Sequence, residues 1–75
     1  MNNDIILLAR HFSKVYSNKY MKPTPEFDTK AMEKLLNYHY PGNVRELRYT
    51  MERAIIMSDD DVLSEKDLLF SPLVF

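Results

Sequence analysis

One run, Tyr40-Pro41-Gly42-Asn43-Val44-Arg45-Glu46-Leu47, constrains the fold of this chain more than any other segment. A proline pushes the residue before it out of the helical region, so any helix preceding Tyr40 has already ended. Gly42 is the only glycine in the chain, placed where a tight turn needs a residue without a side chain. Asn43 is a good N-cap. Glu46, three residues later, can reach back to the N–H of that cap, a variant of the capping box. A new helix therefore starts at about Val44, and the chain must fold as short helices around this break.

Arg45 falls in the first turn of that helix, where free N–H groups and the helix dipole disfavour a cation by about 0.3–1 kcal/mol. An anion nearby reverses the sign. A helix N-terminus and a guanidinium fork together suit a phosphate, because both can converge on its oxygens. The competing reading is an arginine paired with a carboxylate, either the adjacent Glu46 or one on a partner surface.

The remaining segments read as helices separated by strong breaks. Asn3 caps a first helix from about Asp4 to Tyr20, with Ile5, Leu8, Phe12, Val15 and Tyr16 at helical spacing and Ile6, Leu7 and Ala9 widening the stripe. Arg10, Lys14, Lys19 and Lys22 give this part a solvated basic face. Lys22-Pro23-Thr24-Pro25-Glu26 cannot continue a helix and is a connector. Asp28 caps a second helix, with Phe27 and Met32 as a hydrophobic staple. Met32, Leu35 and Leu36 form its buried face and Tyr38 ends it. Tyr38-His39-Tyr40 lacks interleaved cations, so it is core and turn packing and not a base-stacking cluster.

The third helix runs from Val44 to about Met57, and Leu47, Met51, Ala54 and Ile55 continue the seam from Val44. Arg48 and Glu52 stand four apart and can pair on its outer face. Asp59-Asp60-Asp61 is a solvated loop without the spacing of a calcium site. Ser64 caps a short fourth helix, with Asp67 in capping-box position and Leu63 and Leu68 as its staple. The fold class is all-α, a small bundle of three helices plus a short fourth. The apolar tail Phe70-Ser71-Pro72-Leu73-Val74-Phe75 folds back onto the helices, pairs with another copy, or begins a linker.

Composition narrows the function. With 75 residues the chain holds one small domain, which buries only about 60% of its unfolded surface. Ten Lys and Arg against 11 Asp and Glu leave a net charge of −1, so no global field draws in nucleic acid or an anionic membrane. Without cysteine there is no disulfide framework, which agrees with a cytoplasmic location. There is no signal-peptide pattern and no apolar stretch near the ~20 residues of a membrane span. No phosphate-cradling G-x-x-x-x-G-K-[ST] loop occurs, so no catalytic residue is assigned and the chain alone is not an ATPase. His11 and His39 lie far apart without cysteine, so no metal ligand is assigned either.

The run Tyr40 to Leu47, followed by Met51-Glu52-Arg53-Ala54-Ile55-Ile56, resembles the second-sensor segment of the bacterial enhancer-binding proteins, AAA+ ATPases that activate transcription with sigma-54. Asp4-Ile5, Leu7-Leu8-Ala9 and His11-Phe12 are similar to the opening lid helix of that family. Ala31, Leu35-Leu36 and Tyr38 match its second helix, and Val62 and Asp67-Leu68 its closing segment. The resemblance spans residues 4 to 69. Two departures stand out: the family usually has tryptophan where this chain has Tyr40, and it commonly continues after the Glu-Leu pair with a charged or polar residue and an asparagine, where this chain has Arg48-Tyr49.

What the resemblance implies is the C-terminal helical lid of such an ATPase, with residues 1–70 as the lid subdomain and 71–75 as the start of a linker. Arg45 would be the second sensor, reaching the terminal phosphates of ATP, which is held with magnesium on the rest of the parent protein. Pro41, Gly42, Asn43 and Val44 would line the edge of the nucleotide. The implied partners are the P-loop body of the same protein, neighbouring subunits of an ATPase ring and, through the parent, sigma-54 RNA polymerase. Neither membrane nor direct DNA binding is implied. Two other classes stay open on the residues alone. One is a stand-alone helix-turn-helix DNA-binding module with Arg45, Arg48 and Arg53 on its third helix, and the other is a ligand-free protein-interaction bundle.

Overall fold

The structure, a computed structural model, describes residues 2–40 and 43–70. Three helices, α1 (Asn2–Lys19), α2 (Thr29–Asn37) and α3 (Asn43–Met57), carry the fold. Two short strands, β1 (Glu26–Phe27) and β2 (Val62–Leu63), and a 3-10 turn at Glu65–Asp67 complete it.

The helix α1 begins at Asn2, so Asn3 lies inside its first turn instead of capping it. Its inward face is set by Ala9, Ser13, Tyr16 and Ser17, all buried and recurring at helical spacing. The helix packs against α3 and α2, and the small side chains at 9, 13 and 17 allow a close approach on its buried face. Both serine hydroxyls are buried there without a hydrogen-bond partner among the described residues. Val15, one step off this face, is exposed.

The end of α1 is a Schellman turn: Lys22 N–H donates to the Ser17 carbonyl at 2.8 Å and Met21 N–H to the Asn18 carbonyl at 3.3 Å. Met21 holds the left-handed position at φ 56°. Lys22 is thereby aimed across the bundle. Its Nζ donates to the carbonyls of Ile55 and Ile56 at 2.9 Å each and of Ser58 at 3.2 Å. It also lies 3.6 Å from the Asp59 carboxylate. The side chain expected on a solvated face instead satisfies the last carbonyls of α3, which have no partner within their own helix.

Asp28 caps α2 as expected, its Oδ1 accepting from Ala31 N–H at 2.7 Å. Ala31 and Leu35 form the buried face of α2, whereas Leu36 is exposed. An apolar stripe on a nine-residue helix is wider than the surface its neighbours cover, and Leu36 lies beyond that edge. On α3 the seam starts one turn later than expected. Leu47, Met51, Ala54 and Ile55 are buried with Glu46 and Thr50, but Val44 is 49% exposed.

The strands β1 and β2 pair in parallel, Glu26 opposite Val62 and Phe27 opposite Leu63. Glu26 N–H donates to the Asp61 carbonyl at 2.9 Å and Asp28 N–H to the Leu63 carbonyl at 3.0 Å. This ladder was not expected from the sequence, but at two residues per strand it leaves the protein an all-α bundle. The fourth helix expected after Ser64 is a single 3-10 turn. Asp67 accepts there from the Ser64 N–H at 2.9 Å and hydroxyl at 3.3 Å, and the two residues form the expected capping box. Leu63 and Leu68, on either side of this turn, are both fully buried and close the core beneath α2 and α3.

Candidate functional site

The N-terminus of α3 is held by a turn and an aromatic cluster. Asn43 N–H donates to the Tyr40 carbonyl at 2.8 Å, closing the turn from Tyr40 to Asn43. Both of these residues take left-handed backbone, Tyr40 at φ 54° and Asn43 at φ 57°. Asparagine tolerates that region because its short amide can bond locally, while a tyrosine there is held by its surroundings. The cap's N–H is thus taken by the Tyr40 carbonyl and not by Glu46, as the sequence had suggested. Pro41 and Gly42, the other expected site residues of this turn, lie outside the described residues.

Tyr38, Tyr40 and Phe70 supply the surroundings. The Tyr38 ring stacks on Phe70 at 4.0 Å between centroids and 19° between planes. Tyr40 meets both rings edge-on, at 5.0 Å from Tyr38 and 5.5 Å from Phe70. The Tyr40 hydroxyl donates to the Leu35 carbonyl at the end of α2. The Tyr38 hydroxyl donates to the carboxylate of Glu46, whose residue is only 1% exposed. Desolvation, reinforced by the Glu46 hydrogen bond and charge, pushes the Tyr38 phenol up to about 12. Desolvation also raises the Tyr40 phenol, with the charges of Glu46 and Tyr38 adding to it.

These contacts decide what Arg45 can do. Its neighbour Glu46 turns into the core toward Tyr38, so the adjacent carboxylate does not neutralise it. Arg45 is exposed and has no hydrogen bond or ion pair among the described residues. Asn43 and Val44, expected beside it, are also exposed. The N–H groups of a first helical turn have no intrahelical acceptor, so they and the guanidinium can serve one anion together. The Arg48–Glu52 pair expected on the outer face of α3 does not form. Glu52 accepts from the Tyr20 hydroxyl at 2.7 Å and lies 3.8 Å from Lys19 Nζ, both on or next to α1. Arg48, Tyr49 and Arg53 are exposed.

Phe70 and the Tyr38–Glu46 bond were not found from sequence. The sequence did carry a signal for the second, since Tyr38 and Glu46 are close along the chain on either side of a turn. Among the described residues no group of three or more His, Cys, Asp or Glu could hold a metal ion. No described helix is long and apolar enough to cross a membrane.

Residues 1–71 match the family model of the AAA+ ATPase lid domain. The chain belongs to the AAA+ ATPase lid family. Among its relatives, the lid is 47% identical over 66 residues to the nitrogen fixation protein AnfA of Azotobacter vinelandii, covering 88% of this chain and 12% of that protein. It is 38% identical over 65 residues to the transcriptional regulatory protein ZraR of Escherichia coli strain K12, covering 87% and 15%. It is 37% identical over 70 residues to the sigma54-dependent transcriptional activator SfnR of Pseudomonas putida, covering 93% and 19%. The lid thus spans less than a fifth of the length of these relatives. They bear out the resemblance to the lids of sigma-54 activators.

Proposed function

We propose that this lid works within a sigma-54-dependent transcriptional activator and that Arg45 is its nucleotide sensor, contacting the terminal phosphates of ATP bound with magnesium on the parent ATPase. The observation that carries this reading is an exposed guanidinium at a helix N-terminus whose neighbouring carboxylate, Glu46, is buried against Tyr38. Asn43 and Val44, with Pro41 and Gly42 from the sequence, line the edge of the nucleotide. ATP supplies the phosphoanhydride and its charge. The lid's own residues bind and orient the phosphates.

An arginine–phosphate contact present with triphosphate and weakened with diphosphate biases a hinge between lid and body. In this reading residues 1–70 move as one unit over the P-loop body, and residues 71–75 begin the linker. The motion is passed to neighbouring subunits of the ring and from there to sigma-54 RNA polymerase in the cytoplasm. Two features weigh against a stand-alone DNA reader: the net charge of −1 and the two carboxylates, Glu46 and Glu52, interleaved among the arginines of α3. Membership of the lid family favours a nucleotide-linked role over a ligand-free interaction bundle.

The test is Arg45→Ala in the full-length parent. Arg45 is exposed and makes no hydrogen bond or ion pair among the described residues, so the helical signature and melting point should stay within error of the parent's. ATP turnover should fall at least about tenfold, in line with loss of a charged contact of about 1.5–3 kcal/mol. Unchanged turnover would remove the sensor assignment.

A further inference from the structure

A second feature, remote in sequence from Arg45, is a groove of about 240 Å³ between α1 and the segment that becomes β1. Arg10, Ser13 and Lys14 line one wall, and Thr24, Pro25, Glu26 and Phe27 the other. Arg10 and Lys14 stand one turn apart on α1, where like charges repel, and neither has an ion-pair partner among the described residues. Ser13 between them is 1% exposed, and its hydroxyl has no hydrogen-bond partner among the described residues.

The opposite wall is a strand edge. In a parallel ladder, alternate residues of a strand bond to a given neighbour. Glu26 and Asp28 donate to the β2 side, at 2.9 and 3.0 Å, so the N–H and C=O of Phe27 point away from β2. An edge with unpaired backbone groups is a template for another strand. We propose that this groove is a docking site for an extended acidic segment of a partner polypeptide, which adds to β1 at Phe27 and sets its carboxylates against Arg10 and Lys14.

The charges choose among ligand classes. Two cations on one wall favour an anionic chain. Glu26 on the other wall and Asp28 just beyond it oppose the closely spaced phosphates of a nucleic acid. The free backbone edge selects a peptide over a small anion, because only a peptide can satisfy both the N–H and the C=O of Phe27. The proposal does not depend on the assignment of Arg45.

The experiment uses the 75-residue chain, isotope-labelled for nuclear magnetic resonance, and the blocked peptide Ac-Val-Glu-Val-Glu-Val-NH2. Saturable shifts should centre on Arg10 to Lys14 and Thr24 to Phe27, and the Phe27 amide should become protected from exchange. The double variant Arg10→Gln, Lys14→Gln, at two exposed positions, should keep the melting point and weaken binding at least about fivefold. A peptide N-methylated at its Glu nitrogens and one N-methylated at its Val nitrogens should differ, since only one set of N–H groups faces the edge. Any of four results would overturn the proposal: equal binding of the corresponding lysine peptide, no loss in the double variant, equal binding of both methylated peptides, or the same shifts from inorganic phosphate alone.

Discussion

Glu46 shows how one buried carboxylate can set the role of the residue beside it. By accepting from Tyr38 inside the bundle it leaves Arg45 as the charge presented to solvent at the start of α3. Tyr38 is in turn fixed by Phe70, so the geometry around the start of α3 depends on a ring 32 residues away in the chain. Replacing Tyr38 by Phe keeps the stacked ring and deprives the Glu46 carboxylate of one donor, which should cost about 1–3 kcal/mol at neutral pH. The same substitution should change the response to alkali. The folded state holds the Tyr38 phenol protonated up to about 12, whereas the unfolded chain releases that proton near the ordinary value of 10.0. Stability from this group is therefore complete below pH 10 and lost as pH rises from there to about 12. Urea midpoints measured between pH 8 and 12 should fall less steeply for Tyr38→Phe than for the parent chain. Parallel slopes would show that the phenol contributes nothing to alkaline unfolding.

At the scale of elements, the connection from α1 to α3 rests on one left-handed residue. Met21 occupies the position where glycine normally ends a helix, and it is 92% exposed, so its side chain adds almost no packing in return for the backbone strain. Met21→Gly should raise stability by about 1 kcal/mol, read as a higher urea midpoint at unchanged slope. A decrease would mean that the methionine packs after all. Lys22, next in the chain, should behave oppositely. Lys22→Ala strips three carbonyls at the end of α3 of their donor and should cost about 1–2 kcal/mol, while Lys14→Ala, without a partner among the described residues, should stay within about 0.5. Which of these features could be read from sequence follows from their range. The Asp28 cap was legible because donor and acceptor lie three residues apart. The β1–β2 ladder was not, because two-residue strands carry no alternation and pair across 36 positions. The Arg48–Glu52 pair failed for a related reason: a local pairing rule does not see Tyr20, 32 residues before Glu52, whose hydroxyl takes that carboxylate. Arg45 stood out because a cation at a helix N-terminus contradicts the local dipole, yet whether Glu46 neutralised it could be settled only by the fold.

For the whole molecule, stability and site placement draw on the same narrow core. Ala9, Tyr16, Ala31, Leu35, Leu47, Met51, Ala54, Ile55, Leu63 and Leu68 are its buried apolar residues, drawn from every helix and from the closing segment. At about 0.05–0.15 kcal/mol per residue, a chain of 75 residues has roughly 4–11 kcal/mol in total. Leu47 is fully buried one turn into α3, so Leu47→Ala should remove about 2–5 kcal/mol, half or more of the lower figure. Val44 lies three residues earlier on the same helix and in the same apolar pattern, but half exposed, so Val44→Ala should cost no more than about 0.5. The contrast, measured by urea unfolding of both variants, locates where the bundle stops and the presented face of α3 begins. Equal losses would place Val44 inside the core and move that boundary toward Asn43, bringing Arg45 closer to the protein interior and away from an anion arriving from outside. A large loss at Leu47 alone would leave the first turn of α3 standing clear of the core, with the rest of the helix as its anchor.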